Sequence, residues 1–289
     1  MREFVITTDS TCDLPQEYLN QHNINVLPLY YSFDGTVYGG DKVIEPKVFY
    51  NKMRGGVMPT TMAANPDSAK NVFTKLSNEG YDVLHIGFSS ALSGSCSVAA
   101  TAARELCEEN TAIKIIVVDS LCASLGEGLL VHKAVQLKEN GKSLEEISDW
   151  LENNKLYLCH MFTVDDLNHL HRGGRVSRAT AIIGTLINVK PVLHVDNEGH
   201  LVPLVNVRGR KKSLIALVDN MEKRLDGFKN QNDIIFISHG DCIEEAEFVA
   251  SLVKERFGVK DVLINYVSPT IGAHSGPGTV ALFFMGNNR

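Results

Sequence analysis

No stretch of this sequence is apolar for long enough to cross a bilayer. The longest run near the end, Thr279 to Met285, falls far short of the about 20 residues a spanning helix needs. Gly272, Gly276, Pro277 and Gly278 interrupt what precedes it, so no transmembrane segment is expected and any membrane contact should be transient. The start, Met1-Arg2-Glu3-Phe4-Val5-Ile6, lacks the apolar segment and small-residue cleavage site of an export signal. The six cysteines, Cys12, Cys96, Cys107, Cys122, Cys159 and Cys242, form no C-x-x-C pair and no dense framework, which weakens both a zinc site and a disulfide scaffold. Buried, reduced thiols in a cytoplasmic protein are the expectation. There is no excess of positive charge either: 28 basic against 34 acidic residues leave a net charge of -6, which disfavours nucleic acid as a partner. His169 and His171 have no partner at i, i+4 spacing, so no metal site is expected.

What is present is an ordinary globular composition, 44% hydrophobic, over 289 residues, a length that suits about two domains at roughly 150 residues each. The N-terminal half alternates short β-branched runs with helical patterns. Strands are predicted at Phe4–Thr7, Val83–Phe88, Ile113–Val118 and Leu156–Phe162, parallel to one another in a doubly wound sheet. Helices are expected at Pro66–Glu79, Ser93–Cys107 and Leu125–Asn140, and Ser143 with Glu146 fits a capping box opening the helix of Trp150. After about residue 163 the pattern changes. A short helix, the turn His171-Arg172-Gly173-Gly174-Arg175 and another helix lead to two strands joined at Asp196-Asn197-Glu198-Gly199. Amphipathic helices follow at Lys211–Phe228 and Ile243–Phe257, with strands at Ile234–Ser238, Val262–Val267 and Val280–Met285. The fold class is therefore α/β, with an N-terminal domain over 1–162 and a C-terminal domain over 163–289.

Chemistry concentrates in three segments. In the stretch from Val83 to Cys96, a buried strand empties into Ser89, Ser90, Ser93, Gly94 and Ser95 just before a helix. Unpaired amides and the positive dipole end favour an anion there, and Gly94 allows close approach; the plainer reading is that Ser93 only caps its helix. Met58-Pro59-Thr60-Thr61-Met62 places two hydroxyls in a rigid loop ahead of another helix, or is simply a loop and a cap. Ser268 to Thr279 reads as a glycine-rich loop between two strands; its lone His274 is either a satisfied structural residue, the commoner case, or free in such a loop to face a carboxylate and able to carry a proton. Gly87-Phe88-Ser89-Ser90-Ala91 approaches the G-x-S-x-G elbow. The alternative function is thus a serine esterase or acyltransferase using Ser89 or Ser93 with His274, although the final glycine is missing and no acid stands out between them. Basic residues gather at Arg172, Arg175 and Arg178, and again at Arg208, Arg210, Lys211 and Lys212, where they could meet a phosphate or an acidic partner or merely be solvated.

Taken in order, these segments resemble the DegV family, whose members include the fatty-acid-binding subunits of the bacterial fatty acid kinase. The match spans essentially the whole chain. Its landmarks are Thr8-Asp9-Ser10-Thr11-Cys12-Asp13-Leu14-Pro15, Pro59-Thr60-Thr61, Ser89 to Ser95, Val118-Asp119-Ser120, Gly173-Gly174-Arg175-Val176-Ser177, Lys190-Pro191, Val207 to Lys212, and Gly272-Ala273-His274-Ser275-Gly276-Pro277-Gly278. The resemblance implies two α/β domains with one long-chain fatty acid, such as palmitate, buried between them. It implies that Thr61 and Ser93 hold the carboxylate, with the Gly94 and Ser95 amides and His274 close to the same head group. It also implies a non-catalytic carrier with no cofactor, which presents the acid to a separate kinase for acyl-phosphate formation and phospholipid synthesis. The chain has no Walker-type G-x-x-x-x-G-K-[ST] sequence of its own. Arg175 and Arg208 are the expected docking residues for that kinase. The sequence departs from the family pattern at Met62, Ala63 and Ala64, where serine and glutamine and then proline are usual, and at Gly209, where threonine is common.

Overall fold

The computed structural model describes residues 2–62, 65–177 and 188–289. Ala63 and Ala64, Arg178, and the helix expected after the Gly173-Gly174 turn lie outside these residues. The chain opens with β1 (Phe4–Asp9), α1 (Gln16–Gln21) and β2 (Asn25–Leu27). A small antiparallel unit follows, made of β3 (Tyr31–Phe33), β4 (Thr36–Tyr38), α2 (Pro46–Arg54) and β5 (Thr60–Thr61). Next come α3 (Pro66–Asn78), β6 (Asp82–Gly87), α4 (Ser95–Glu109), β7 (Ile115–Asp119), α5 (Leu125–Glu139) and α6 (Leu144–Asn154). The remainder contributes β8 (Leu158–Thr163), α7 (Leu167–Arg172), β9 (Val189–Val195), β10 (Leu201–Arg208), α8 (Arg210–Glu222), β11 (Ile234–His239), α9 (Ile243–Phe257), β12 (Asp261–Tyr266), α10 (Pro269–Ser275) and β13 (Val280–Met285).

Local chemistry accounts for most of these elements. α3 starts where Asn65 accepts from the Asp67 N–H and Pro66 occupies the first helical position, and α6 starts on the expected box, Ser143 and Glu146 each bonding the other's backbone. The parallel sheet is ordered β2-β1-β6-β7. The second sheet is mixed and ordered β10-β9-β8-β13-β11-β12, with only β11 and β12 parallel among its pairs. The strand expected at Leu156–Phe162 forms, but it does not extend the parallel sheet. Its residues alternate across a two-sided buried position, and it pairs antiparallel with β13 on one side and β9 on the other.

The helix that joins the two halves is α5. Every residue of its first half, Leu125 to Val131, is buried, and Ala134 and Val135 continue the buried side, while His132, Lys133, Gln136 and Glu139 turn a face partly toward water. It lies between the sheets, in one core with Leu84 and Ile86 of the first and Phe162, Leu193, Phe236 and Phe283 of the second. α3 and α4 cover the other face of the first sheet, and α8 and α9 the other face of the second. The layers therefore run helix, sheet, helix, sheet, helix. The small β3–β5 unit packs Tyr31, Phe33, Phe49 and Tyr50 against Val267, Ile271 and Ala273, which brings β5 beside α10.

Candidate functional site

A cavity of about 290 Å³ opens between the two sheets, at the carboxyl ends of the parallel strands. The first half supplies Phe88, Leu92, Ser93 and Gly94 from the β6–α4 loop, and Ala123 and Ser124 from the loop before α5. The second half supplies Phe162, Val195, Ala281 and Phe283 from strand faces and Ile271 and His274 from α10. One end is polar. Thr61 on β5 places Oγ1 2.9 Å from His274 Nε2. Ser93 Oγ accepts from the Ser95 N–H at 3.2 Å, a cap-like bond that leaves the serine's own hydrogen available. Met62, half exposed, follows Thr61 in the lining.

Of the residues singled out from sequence, Thr61, Ser93, Gly94 and His274 meet at this end, and Arg175 joins them. Arg175 Nε and Nη2 donate to the Leu92 carbonyl at 3.2 and 2.9 Å, and Nη1 donates to Gly173 O, so the guanidinium is built into the cavity wall. Ser95 stands behind the wall, buried, with Oγ 3.4 Å from Asp9 Oδ2, and its amide is taken by Ser93. Arg208 lies outside the lining, exposed at the end of the edge strand β10.

Two expectations are corrected. Ser268–Thr279 is not a loop throughout: Pro269–Ser275 is helical, with Pro269 in the first turn. Glycine disfavours helices, but here it is required by packing, because a Cβ on Gly272 would lie 2.4 Å from the Tyr50 hydroxyl. His274 is not the charged imidazolium at neutral pH either. Burial, reinforced by the nearby Arg175 charge, pulls its pKa down to about 4, and Nδ1 is buried without a hydrogen-bond partner. Gly173 is what lets the histidine in, since a Cβ there would sit 2.0 Å from Nδ1. The positive charge at this end therefore belongs to Arg175.

Among the described residues the esterase arrangement is absent. His274 bonds Thr61 and no serine, and no carboxylate orients its Nδ1. Ser89 is buried and donates to the Gly199 carbonyl at 3.1 Å, in the turn between β9 and β10.

Sequence reading missed the scaffold beneath the cavity. Asp9 Oδ2, at the end of β1, accepts from the Phe88 N–H at 2.9 Å and so holds the loop that carries Ser93. Thr11 and Ser124, both lining, donate to Glu127 Oε2 and Asp13 Oδ2. Thr8 Oγ1 lies 2.7 Å from Glu127 Oε1 and 2.9 Å from the Ile86 carbonyl. Glu127 Oε1 also accepts from the Asp9 N–H at 3.2 Å, so this carboxyl ties the end of β1 to α5. Burial and the Asp9 charge push Glu127 well above the usual carboxylate range. Burial likewise raises Asp9 to about 6 and Asp13 to about 7. The signal was in the Thr8–Pro15 landmark, whose acidic residues follow a buried strand, but their partner Glu127 is more than a hundred residues away in sequence.

An apolar chamber with hydroxyl, imidazole and guanidinium groups at one end defines a small-molecule-binding protein of the two-sheet α/β class. The chain belongs to the DegV family: a family model described as "Uncharacterised protein, DegV family" matches residues 3–287. A DegV domain-containing protein of Clostridium perfringens is 44% identical over 291 residues, covering 100% of this chain and 99% of its own. A fatty-acid-binding DegV family protein from Thermus thermophilus superposes with a TM-score of 0.87 at 31% identity, covering 99% of this chain and 100% of that one. A stearic-acid-binding protein from Eubacterium ventriosum does so with a TM-score of 0.89 at 26% identity, covering 98% of each chain.

Proposed function

We propose that this chain is a non-catalytic carrier that binds one long-chain fatty acid and presents its carboxylate to a separate kinase, which forms the acyl phosphate used in phospholipid synthesis. The observation that carries the binding step is the polarity gradient of the cavity: hydroxyl and guanidinium groups at the Thr61–Ser93–Arg175 end, and Val195, Leu201 and Phe283 around one histidine, His160, whose charged form burial disfavours, at the other. The fatty acids named for the Thermus and Eubacterium relatives agree with it.

The energetics divide the labour. At about 0.8 kcal/mol per buried methylene, roughly fourteen of them supply on the order of 11 kcal/mol before binding entropy is subtracted. The head group then has only to offset its own desolvation. Ser93 donates its remaining hydrogen. With the His274 hydrogen on Nε2 and donated to Thr61 Oγ1, the Thr61 hydroxyl is released to donate as well. Arg175 supplies charge without spending it on an acidic residue, since its hydrogen bonds go to carbonyls.

Solvent extraction of the purified protein followed by mass spectrometry tests this reading. A stoichiometric free fatty acid is expected. An esterase would give turnover of acyl esters and labelling by a fluorophosphonate, and that result, or an extract with no fatty acid together with no uptake of added palmitate, overturns the proposal.

A further inference from the structure

The second sheet provides a ruler for the cavity. Thr279 Oγ1 bonds the Ser275 carbonyl at 3.1 Å, next to His274, and so marks the polar end. Ala281 and Phe283 follow on the same face of β13. At about 3.3 Å per residue, Phe283 lies roughly 13 Å deeper than Thr279. Phe283 pairs with His160, and the register that sets Met161 against His194 puts Val195 next to His160, with Leu201 opposite Val195. All four line the cavity, so one rung across four strands forms its deep end.

Immediately behind that rung is a buried cation, Arg289, 7% exposed. Its Nε donates to Leu158 O at 3.1 Å, and Nη1 to Leu121 O at 2.6 Å and Asp196 O at 3.1 Å. Its Nη2 reaches Lys155 O at 2.8 Å, Cys122 Sγ at 3.1 Å and Ser120 O at 3.3 Å. No carboxylate is among these acceptors. Each of three acceptors borders a lining residue from a different segment: Cys122 precedes Ala123, Asp196 follows Val195, and Leu158 is two residues before His160. A planar guanidinium presents five N–H groups in fixed directions to these six acceptors; an ammonium, a compact charge with three donors on a flexible stem, cannot match that spread.

We infer that Arg289 is a specificity-determining positioning residue, whose guanidinium fixes the deep wall of the cavity and so sets the acyl chain length the protein prefers. This rests on the fatty-acid reading above. Arg289 need not touch the ligand, because it acts through Ala123, His160 and Val195.

The test is the ratio of affinities for eicosanoate and hexadecanoate, titrated against the delipidated parent, Arg289→Ala and Arg289→Lys. Releasing the wall should raise that ratio by about tenfold, the worth of one to two further buried methylenes. Millimolar guanidinium ion should return the Arg289→Ala ratio toward the parent value, a rescue that a general loss of packing would not show. Arg289→Lys carries the test where Arg289→Ala does not fold. An unchanged ratio in the folded variants overturns the inference, as does an equal loss of affinity at every chain length. A parent that takes up neither acid removes the fatty-acid reading itself, and the inference falls with it.

Discussion

A serine hydroxyl has one hydrogen to give, and at Ser93 it is still to be given, because the backbone bond made by this residue is one in which its oxygen accepts. That separates the two sequence-level readings of Ser93, which are compatible: the residue bonds the start of α4 and can donate to a ligand. A hydrogen bond to a charged acceptor contributes about 1.5 to 3 kcal/mol, so Ser93→Ala should weaken palmitate or oleate binding by roughly ten- to a hundredfold while the thermal midpoint of the delipidated protein stays near that of the parent. Unchanged affinity in a direct titration would remove Ser93 from the head-group site. The hydroxyls at Thr61 and Ser93 were legible because small polar residues stand out after a buried strand. The charge state of His274 was not, since it depends on burial by Gly173, about a hundred residues earlier, and on the Arg175 cation.

Among the elements, α10 is the one whose placement rests on a titrating group. Asp13 Oδ1 accepts from the Ser268 N–H at 3.1 Å at the start of that helix, Oδ2 accepts from Ser124, and its carbonyl accepts from Asn265 at 2.8 Å. Asp13 thus joins the loop after β1 to α5 and to the segment that carries His274. Its pKa is about 7 in the folded protein against an ordinary 3.8, so the folded state holds the proton more tightly and this group lowers stability as pH rises from about 4 to 7. His85 and His274, both lowered by burial, act in the opposite sense up to about 6.5. They cancel when a variant is compared with its parent. Asp13→Asn, which suits the positive φ of 55° at this position, should therefore gain thermal midpoint relative to the parent progressively between pH 4 and 7. A difference that does not vary with pH would mean that Asp13 is not the titrating group. The helix itself was hidden in the sequence because it is short and Gly272 lowers its propensity, and the close approach to Tyr50 that requires glycine is a tertiary fact; Gly276 only ends the helix, at φ 78°. β8 was legible as a strand but not as a member of the second sheet: a fully buried strand carries no alternation by which to tell a parallel from an antiparallel neighbour.

Over the whole molecule, the basic clusters separate into those already engaged and those facing outward. Arg210 bonds Glu245 and the Gly278 carbonyl, Lys190 pairs with Asp165 at 3.0 Å, and Lys211 lies over the Phe248 ring. Arg208, exposed, ends the edge strand that begins at Leu201 on the deep rung, so it stands at the end of the sheet nearer the head group. In the proposed encounter with a kinase it meets the partner or its nucleotide phosphates. Arg208→Glu should lower acyl-phosphate formation by the matching kinase at least about tenfold, as reversal of a docking charge does, with fatty-acid uptake unchanged; formation at the parent rate would exclude this role. From α3 onward most strands and helices were readable from periodicity; the short elements from α1 to β5 were not, nor was the order of the second sheet, whose neighbours are far apart in sequence.

That order bears on how the protein is made. β13 lies in the middle of the second sheet, between β8 and β11, although it follows the five other strands of that sheet in sequence and so leaves the ribosome after them. Until then β10-β9-β8 and β11-β12 are separate pieces with open inner edges, and α5 has only one of its two sheets to pack against. The parallel sheet can assemble as soon as β7 has emerged; the chamber cannot close, nor take up the proposed ligand, until β13 has joined the two pieces.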